Sequence, residues 1–365
     1  MPNMTLRTPV VWSDACLLHD PKGEVWVGVP IEGTEIAARA EVIRAAMEAA
    51  GAPVTTATPH DDTVLDAVHD RGLTRWLSTS LADWERDGFP TNPGQDRVVP
   101  YVFPTQAMLG GMPLRSPVAV HGRAGQYGYD TMTLVGPGTW QAARGAVDAA
   151  LTAVDLVASG DHAVAYALCR PPGHHVTVDG YGGSCYLNNA AVAAQALRGK
   201  GHERVAVIDI DAHHGNGTQM IFYGRSDVFY GSVHVDPAAG WFPHYVGHAD
   251  ETGRDGGVGA NHNVPLAEGT ADDRWLEGVA SLAEDVRRHG ATALVVSLGV
   301  DAAINDPESP LQITDDGYRA AGEQLAALGL PTVAVQEGGY HLPSLGGLVV
   351  ATITGLETRE RRHGQ

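Results

Sequence analysis

Three short runs along the chain are nearly continuous in apolar, mostly β-branched residues: 204–210 (RVAVIDI), 293–300 (ALVVSLGV) and 332–336 (TVAVQ). Runs of this length without alternation predict strands covered on both faces. Helical patterns lie between and before them. Residues 35–50 predict a helix ending at Gly51, and 139–159 predict one that opens from a Pro-Gly-Thr turn and ends at Gly160. Residues 189–198 and 272–289 also read as helices, the second stopped by Gly290. Strands alternating with helices imply an α/β fold with a parallel sheet and crossover connections. In such sheets ligands gather beyond the carboxyl ends of the strands.

Glycine (45) and proline (22) are spread along the chain and not concentrated in a linker, so a single domain over residues 1–365 is expected. One segment breaks the pattern. Residues 78–127 hold Pro90, Pro93, Pro100, Pro104, Pro113 and Pro117, and no long periodic element is expected to cross them. A long irregular insertion inside a domain usually serves function or contacts another chain.

Polar residues collect where the predicted strands end. Directly after RVAVIDI, with Asp209 inside the run, come Asp211, His213, His214 and Asn216. Asp301 closes the second run, and Glu337-Gly-Gly-Tyr340 follows the third. Asp211 and His213 are two apart, so in an extended chain their side chains point the same way. Two carboxylates and one imidazole leave a coordination position open for water, as catalytic zinc requires. Alone, an Asp-x-His reads as a surface turn or helix cap; a second Asp at a strand end strengthens the metal reading. The other cluster is Arg170-Pro-Pro-Gly-His174-His175. Its prolines keep the two histidines off a helix, and imidazoles titrating near neutrality suit proton transfer.

Charge narrows the partners. The chain has 24 Lys+Arg against 43 Asp+Glu, a net charge of −19, which argues against nucleic acid and anionic membrane. Cationic ligands remain open. Three cysteines form no Cys-x-x-Cys pair, so neither a disulfide scaffold nor a zinc ribbon is expected. The first thirty residues lack a basic segment followed by an apolar one, and no apolar run approaches the ~18–20 residues of a membrane span, so a cytoplasmic protein is expected.

Taken together, RPPGHH, GGSCYLNNAAVAAQ, IDIDAHHGNGTQ, SLGVD and EGGY occur in the order of the histone deacetylase-like amidohydrolases, which the chain resembles over nearly its whole length. The likeness is strongest to the bacterial acetylpolyamine branch. It implies an arginase–deacetylase fold, a central parallel sheet flanked by helices. It implies zinc held by Asp211, His213 and Asp301, with His174 and His175 as the tandem histidines. Asp209 and Asn216 would hold their outer nitrogens, and Tyr340 would stabilise the oxyanion. A potassium ion would use Asp209, Asp211, His213, Ser232 and Val233. The resemblance also makes 78–127 the insertion through which such enzymes dimerise and narrow their entrance, so a homodimer is expected.

The substrate is a small acylated amine on this reading, and the departures bear on which one. Phe242 supplies one ring of the substrate tunnel, while the ring expected beside Gly183 is replaced by Ser184. The loss of a ring predicts a wider or more polar tunnel, open to bulkier acyl groups or amines. At the mouth, Asp130 is the acid left in its stretch, and Glu308 resembles a gatekeeper for a distal ammonium. Acyl-lysine proteins are an alternative substrate. An arginase-like manganese pair and a non-enzymatic module fit less well, because the motif set is mononuclear and intact.

Overall fold

The three predicted strands lie side by side in the middle of one sheet. In the computed structural model, which describes residues 5–358, ten strands form. They are β1 (Val10–Trp12), β2 (Glu24–Trp26), β3 (Val29–Ile31), β4 (Val54–Thr56), β5 (Val164–Ala167), β6 (Val205–Asp209), β7 (Val228–Val235), β8 (Asn261–Leu266), β9 (Ala293–Leu298) and β10 (Thr332–Gln336). Eight of them make a wholly parallel sheet in the order β4-β1-β5-β10-β9-β6-β7-β8, while β2 and β3 pair as a separate antiparallel hairpin. Every residue of β5, β6, β7, β9 and β10 is buried, as their unbroken apolar runs require.

Helices cover the sheet in two groups. Thr139–Ala158 and Asn189–Gly199 pack on each other and on the central strands. Ala38–Ala49, Asp272–His289, Asp315–Ala326 and Leu342–Leu356 form the second group. The helix Asp272–His289 matches its predicted span. Asp272 and Asp273 open it, Arg287, Arg288 and His289 close it, and Gly290 caps it at φ 73°, so its charges oppose the helix dipole.

Some boundaries move. The helix predicted from residue 35 starts at Ala38, because Glu35 is buried in an ion cluster with Arg39 and Arg170, both 2.9 Å away. The strand predicted to 300 ends at Leu298, after which Val300 N donates to Gly338 O as the chain bends toward the site. No long element crosses the prolines of 78–127: a helix over Arg71–Arg86 runs into the segment, Val120–Tyr127 closes it, and only the four-residue helix Gln106–Leu109 lies between them. The first is plainly amphipathic, burying Leu73, Trp76, Leu77, Ser80 and Trp84, and the prolines fall between the two helices.

Candidate active site

Four adjacent central strands, β5, β10, β9 and β6, deliver the chemistry from their carboxyl ends. The chain after β5 carries His174 and His175; that after β6 carries Asp211, His213 and Asn216. Asp301 follows β9, and Tyr340 follows β10. Convergence depends on close backbone approach. A side chain at Gly338 would strike the carboxylates of both Asp211 and Asp301, and Gly338 N donates to Asp211 Oδ2 at 2.8 Å. Gly183, at φ 58°, lies so close to His175 and Phe242 that a Cβ there would overlap the His175 ring.

Each histidine of the tandem has its own support. His174 Nδ1 lies 3.0 Å from Asp209 Oδ2, and His175 Nδ1 lies 2.7 Å from Asn216 Oδ1. The rings sit 4.0 Å apart between centroids. Burial opposes charge on His174, but Asp211 and Asp209 outweigh it and push the imidazole up to about 10. Burial, then the charge of His174, hold His175 well below the ordinary histidine value. One ring is thus kept protonated and its neighbour neutral. Because Asn216 presents an oxygen, the neutral His175 carries its proton on Nδ1 and leaves the Nε2 lone pair free.

Asp211, His213 and Asp301 bring their ligating atoms within 4.8 Å of one another. His213 Nδ1 is 3.1 Å from Asp301 Oδ2 and 3.3 Å from Asp211 Oδ1. Burial, together with the charge of Asp211, pushes Asp301 up to about 7. Two buried carboxylates pressed together around an imidazole fit a zinc ion with positions left open for water and substrate.

Sequence reasoning did not assign two further supports. Glu337 accepts from Gly173 N at 2.7 Å, His174 N at 3.1 Å and Ser297 Oγ at 2.9 Å, tying the histidine loop to β9 and β10. Arg39 donates to the carbonyls of Gly339 and Glu337 and lies 4.5 Å from the centre of the Tyr340 ring. Burial keeps the Tyr340 hydroxyl well above its usual pKa, so it remains a donor.

His175, His213 and Tyr340 open into a cavity of about 450 Å³, also lined by Gly183, Ser184, Phe242 and Glu308. Phe242 stands edge-on to His175, centroids 4.7 Å apart. Glu308 is half-buried and accepts from Thr34 Oγ1 at 2.8 Å. Asp130 is corrected: its carboxylate accepts from the amides of Met132, Thr133 and Gly183 and from the Thr133 hydroxyl, and it does not line this cavity. Burial is affordable for a carboxylate in that role, which pins Gly183 and is not left to meet an ammonium.

The mouth's missing members come from the β2–β3 hairpin, which brings Glu24, Trp26, Ile31 and Glu32 to the cavity. Glu24 pairs with Ile31 through its backbone, its carboxylate has no hydrogen bond among the described residues, and burial followed by repulsion from Glu308 pushes that carboxyl up to about 7. The signal was the run Val-Trp-Val-Gly-Val-Pro-Ile at residues 25–31, with strand-forming residues on either side of a glycine turn.

This fold and this constellation define a class. A histone deacetylase domain profile matches residues 34–356, and the chain belongs to that family of amide hydrolases. Among its relatives, it is 40% identical over 349 residues to the acetylpolyamine amidohydrolase of Mycoplana ramosa, covering 95% of this chain and 99% of that one. It is 42% identical over 331 residues to the Burkholderia pseudomallei acetylpolyamine amidohydrolase, covering 90% and 92%. A crystal structure of acetylpolyamine aminohydrolase from Burkholderia pseudomallei superposes with a TM-score of 0.90 at 38% identity, over 96% of this chain and 99% of that chain.

Proposed function

We propose that the protein hydrolyses the acetyl amide of a small cationic amine, with acetylpolyamines as its substrates. The neutral, Asn216-oriented His175 beside the Asp211–His213–Asp301 cluster carries the reading. A zinc ion held by Asp211, His213 and Asp301 would act as a Lewis acid on the acyl carbonyl and acidify the attacking water. His175 Nε2 takes the proton of that water as its oxygen adds to the acyl carbon. Tyr340 donates its hydroxyl to the developing oxyanion, and protonated His174 adds positive charge nearby. As the C–N bond breaks, His175 returns the proton to the amine nitrogen, giving acetate and free amine. Glu24, Glu32 and Glu308 draw a distal ammonium to the mouth.

A second reading retains the chemistry and enlarges the substrate, since Ser184 stands where a ring would narrow the tunnel. A panel of acetylputrescine, acetylcadaverine, acetylspermidine, an acetyl-lysine peptide and bulkier acyl analogues separates the two. Tyr340→Phe in zinc-loaded protein is expected to lower kcat about 10²–10³-fold; undiminished turnover by a folded, zinc-bound variant rejects the oxyanion role.

Asp209 pairs in register with Ser232, and both are fully buried beside Val233, which fits the potassium site with Asp211 and His213. The insertion 78–127 exposes Tyr101 and Val118, and its exposed Met108, Met112 and Leu114 line an apolar hollow of about 560 Å³. A homodimer through this face is therefore part of the proposal, as is a cytoplasmic setting. Gel filtration at micromolar concentration should give twice the chain mass, and a monomer would refute it. No described helix is long and apolar enough to cross a membrane.

A further inference from the structure

We propose that a chamber beside the catalytic cavity is a second substrate subsite, taking an aromatic or branched aliphatic group on the amine side of the acylated substrate. The inference rests on the deacylase reading above. The chamber measures about 470 Å³, within the range of small-molecule pockets. Trp26, Met132, Phe242 and His244 border both spaces, so the two adjoin, and a ligand branching past these side chains would enter both. His175, His213 and Tyr340 border only the first. A group that reaches the chamber therefore branches from the outer, amine half of the ligand.

The chamber's chemistry differs from that of the mouth. Its polar lining groups are already engaged with protein. Asp130 is saturated as described, and Thr131 Oγ1 donates to Val25 O at 2.6 Å. Thr177 Oγ1 bonds within its own turn, and Asn216 serves His175 and Tyr129. The Trp26 indole N–H, the His244 ring and the exposed Tyr245 hydroxyl remain, and none of the three carries a fixed charge of the kind the mouth's carboxylates do. Such a surface gains nothing from a charged group and favours an apolar one. Phe242 and Tyr129 stand nearly parallel, 11° between planes and 6.4 Å between centroids, offering flat faces to a ring. Tyr129 also donates to the backbone oxygen of His175 at 2.7 Å, so the chamber wall is continuous with the support of that histidine.

The test compares acetylputrescine bearing methyl or benzyl on its distal nitrogen; both keep the ammonium charge. In zinc-loaded wild-type protein the benzyl compound is expected to show about tenfold or higher kcat/KM, chiefly through KM, from burial of the ring. Val246→Trp, which fills the chamber, should bring the ratio to about one, and Tyr245→Ala should lower it several-fold. A wild-type ratio at or below one overturns the subsite, as does a preference that survives Val246→Trp in folded protein. If neither compound is hydrolysed, the deacylase reading fails. The subsite is then decided separately by calorimetry with N-benzylputrescine and N-methylputrescine, where equal affinities would overturn it.

Discussion

The floor of the site and its mouth are built by opposite means. The floor grows out of four neighbouring parallel strands whose ends are fixed by the sheet, and every side chain there leans on a buried partner. The mouth is assembled from a separate two-stranded hairpin, the loop around Phe242 and the turn at Glu308, none of which belongs to the sheet. On the proposed function, reaction geometry would depend on the core, whereas selectivity would depend on segments outside the sheet.

The largest break in this contrast lies on the floor. His175→Ala is expected to lower kcat by about 10³–10⁴-fold with little change in KM, because the proton acceptor itself is removed. Steady-state kinetics on acetylputrescine with matched zinc content would check it, and a loss below tenfold would contradict the assigned base. Asn216→Ala should cost less, about 10–100-fold in kcat, since His175 remains but its Nδ1 proton loses its acceptor. An unchanged kcat would show that the tautomer is set elsewhere.

The mouth should respond more weakly and in binding. Glu308→Leu is expected to raise KM for acetylputrescine severalfold while leaving the KM of an uncharged acetylalkylamine alone; equal effects on both would remove the gatekeeper role. Glu24 supplies a pH signature. With its carboxyl raised to about 7, it is protonated below that pH and anionic above it, so putrescine affinity should strengthen as pH rises from 6 to 8. By the same sign, charging Glu24 in the free protein destabilises the fold above the ordinary carboxylate range, and a bound cation offsets this. Glu24→Gln should flatten the pH step in calorimetric titrations, and a step of full size in that variant would assign it to another group.

The floor was legible in the sequence for a physical reason. Residues 204–210, 293–300 and 332–336 must be buried strands, so the polar groups just beyond them have one rim on which to meet. That logic located Asp211, His213, Asp301 and Tyr340 without reference to any contact. The mouth offered no such guide. Strands of three residues have too little length for a period, and nothing local distinguishes Glu24 from a solvated surface acid. Asp130 shows the same limit from the other side. The chain order set it beside the expected entrance, but the direction of its carboxylate depends on the amides of Met132, Thr133 and Gly183, which only tertiary structure supplies. At residues 71–86 the pattern was present, and the count of downstream prolines obscured it.

The hairpin's attachment has a consequence for redesign. Two hydrogen bonds stitch it to the neighbouring segment, Val25 N to Thr131 O at 3.2 Å and Thr131 Oγ1 to Val25 O at 2.6 Å. A segment joined so lightly can be lengthened, shortened or exchanged without moving His174, His175 or Tyr340, which follow strands of the main sheet. A graft at residues 24–31 is therefore expected to change which amine is admitted while the zinc-ligand cluster and the tandem histidines keep their places.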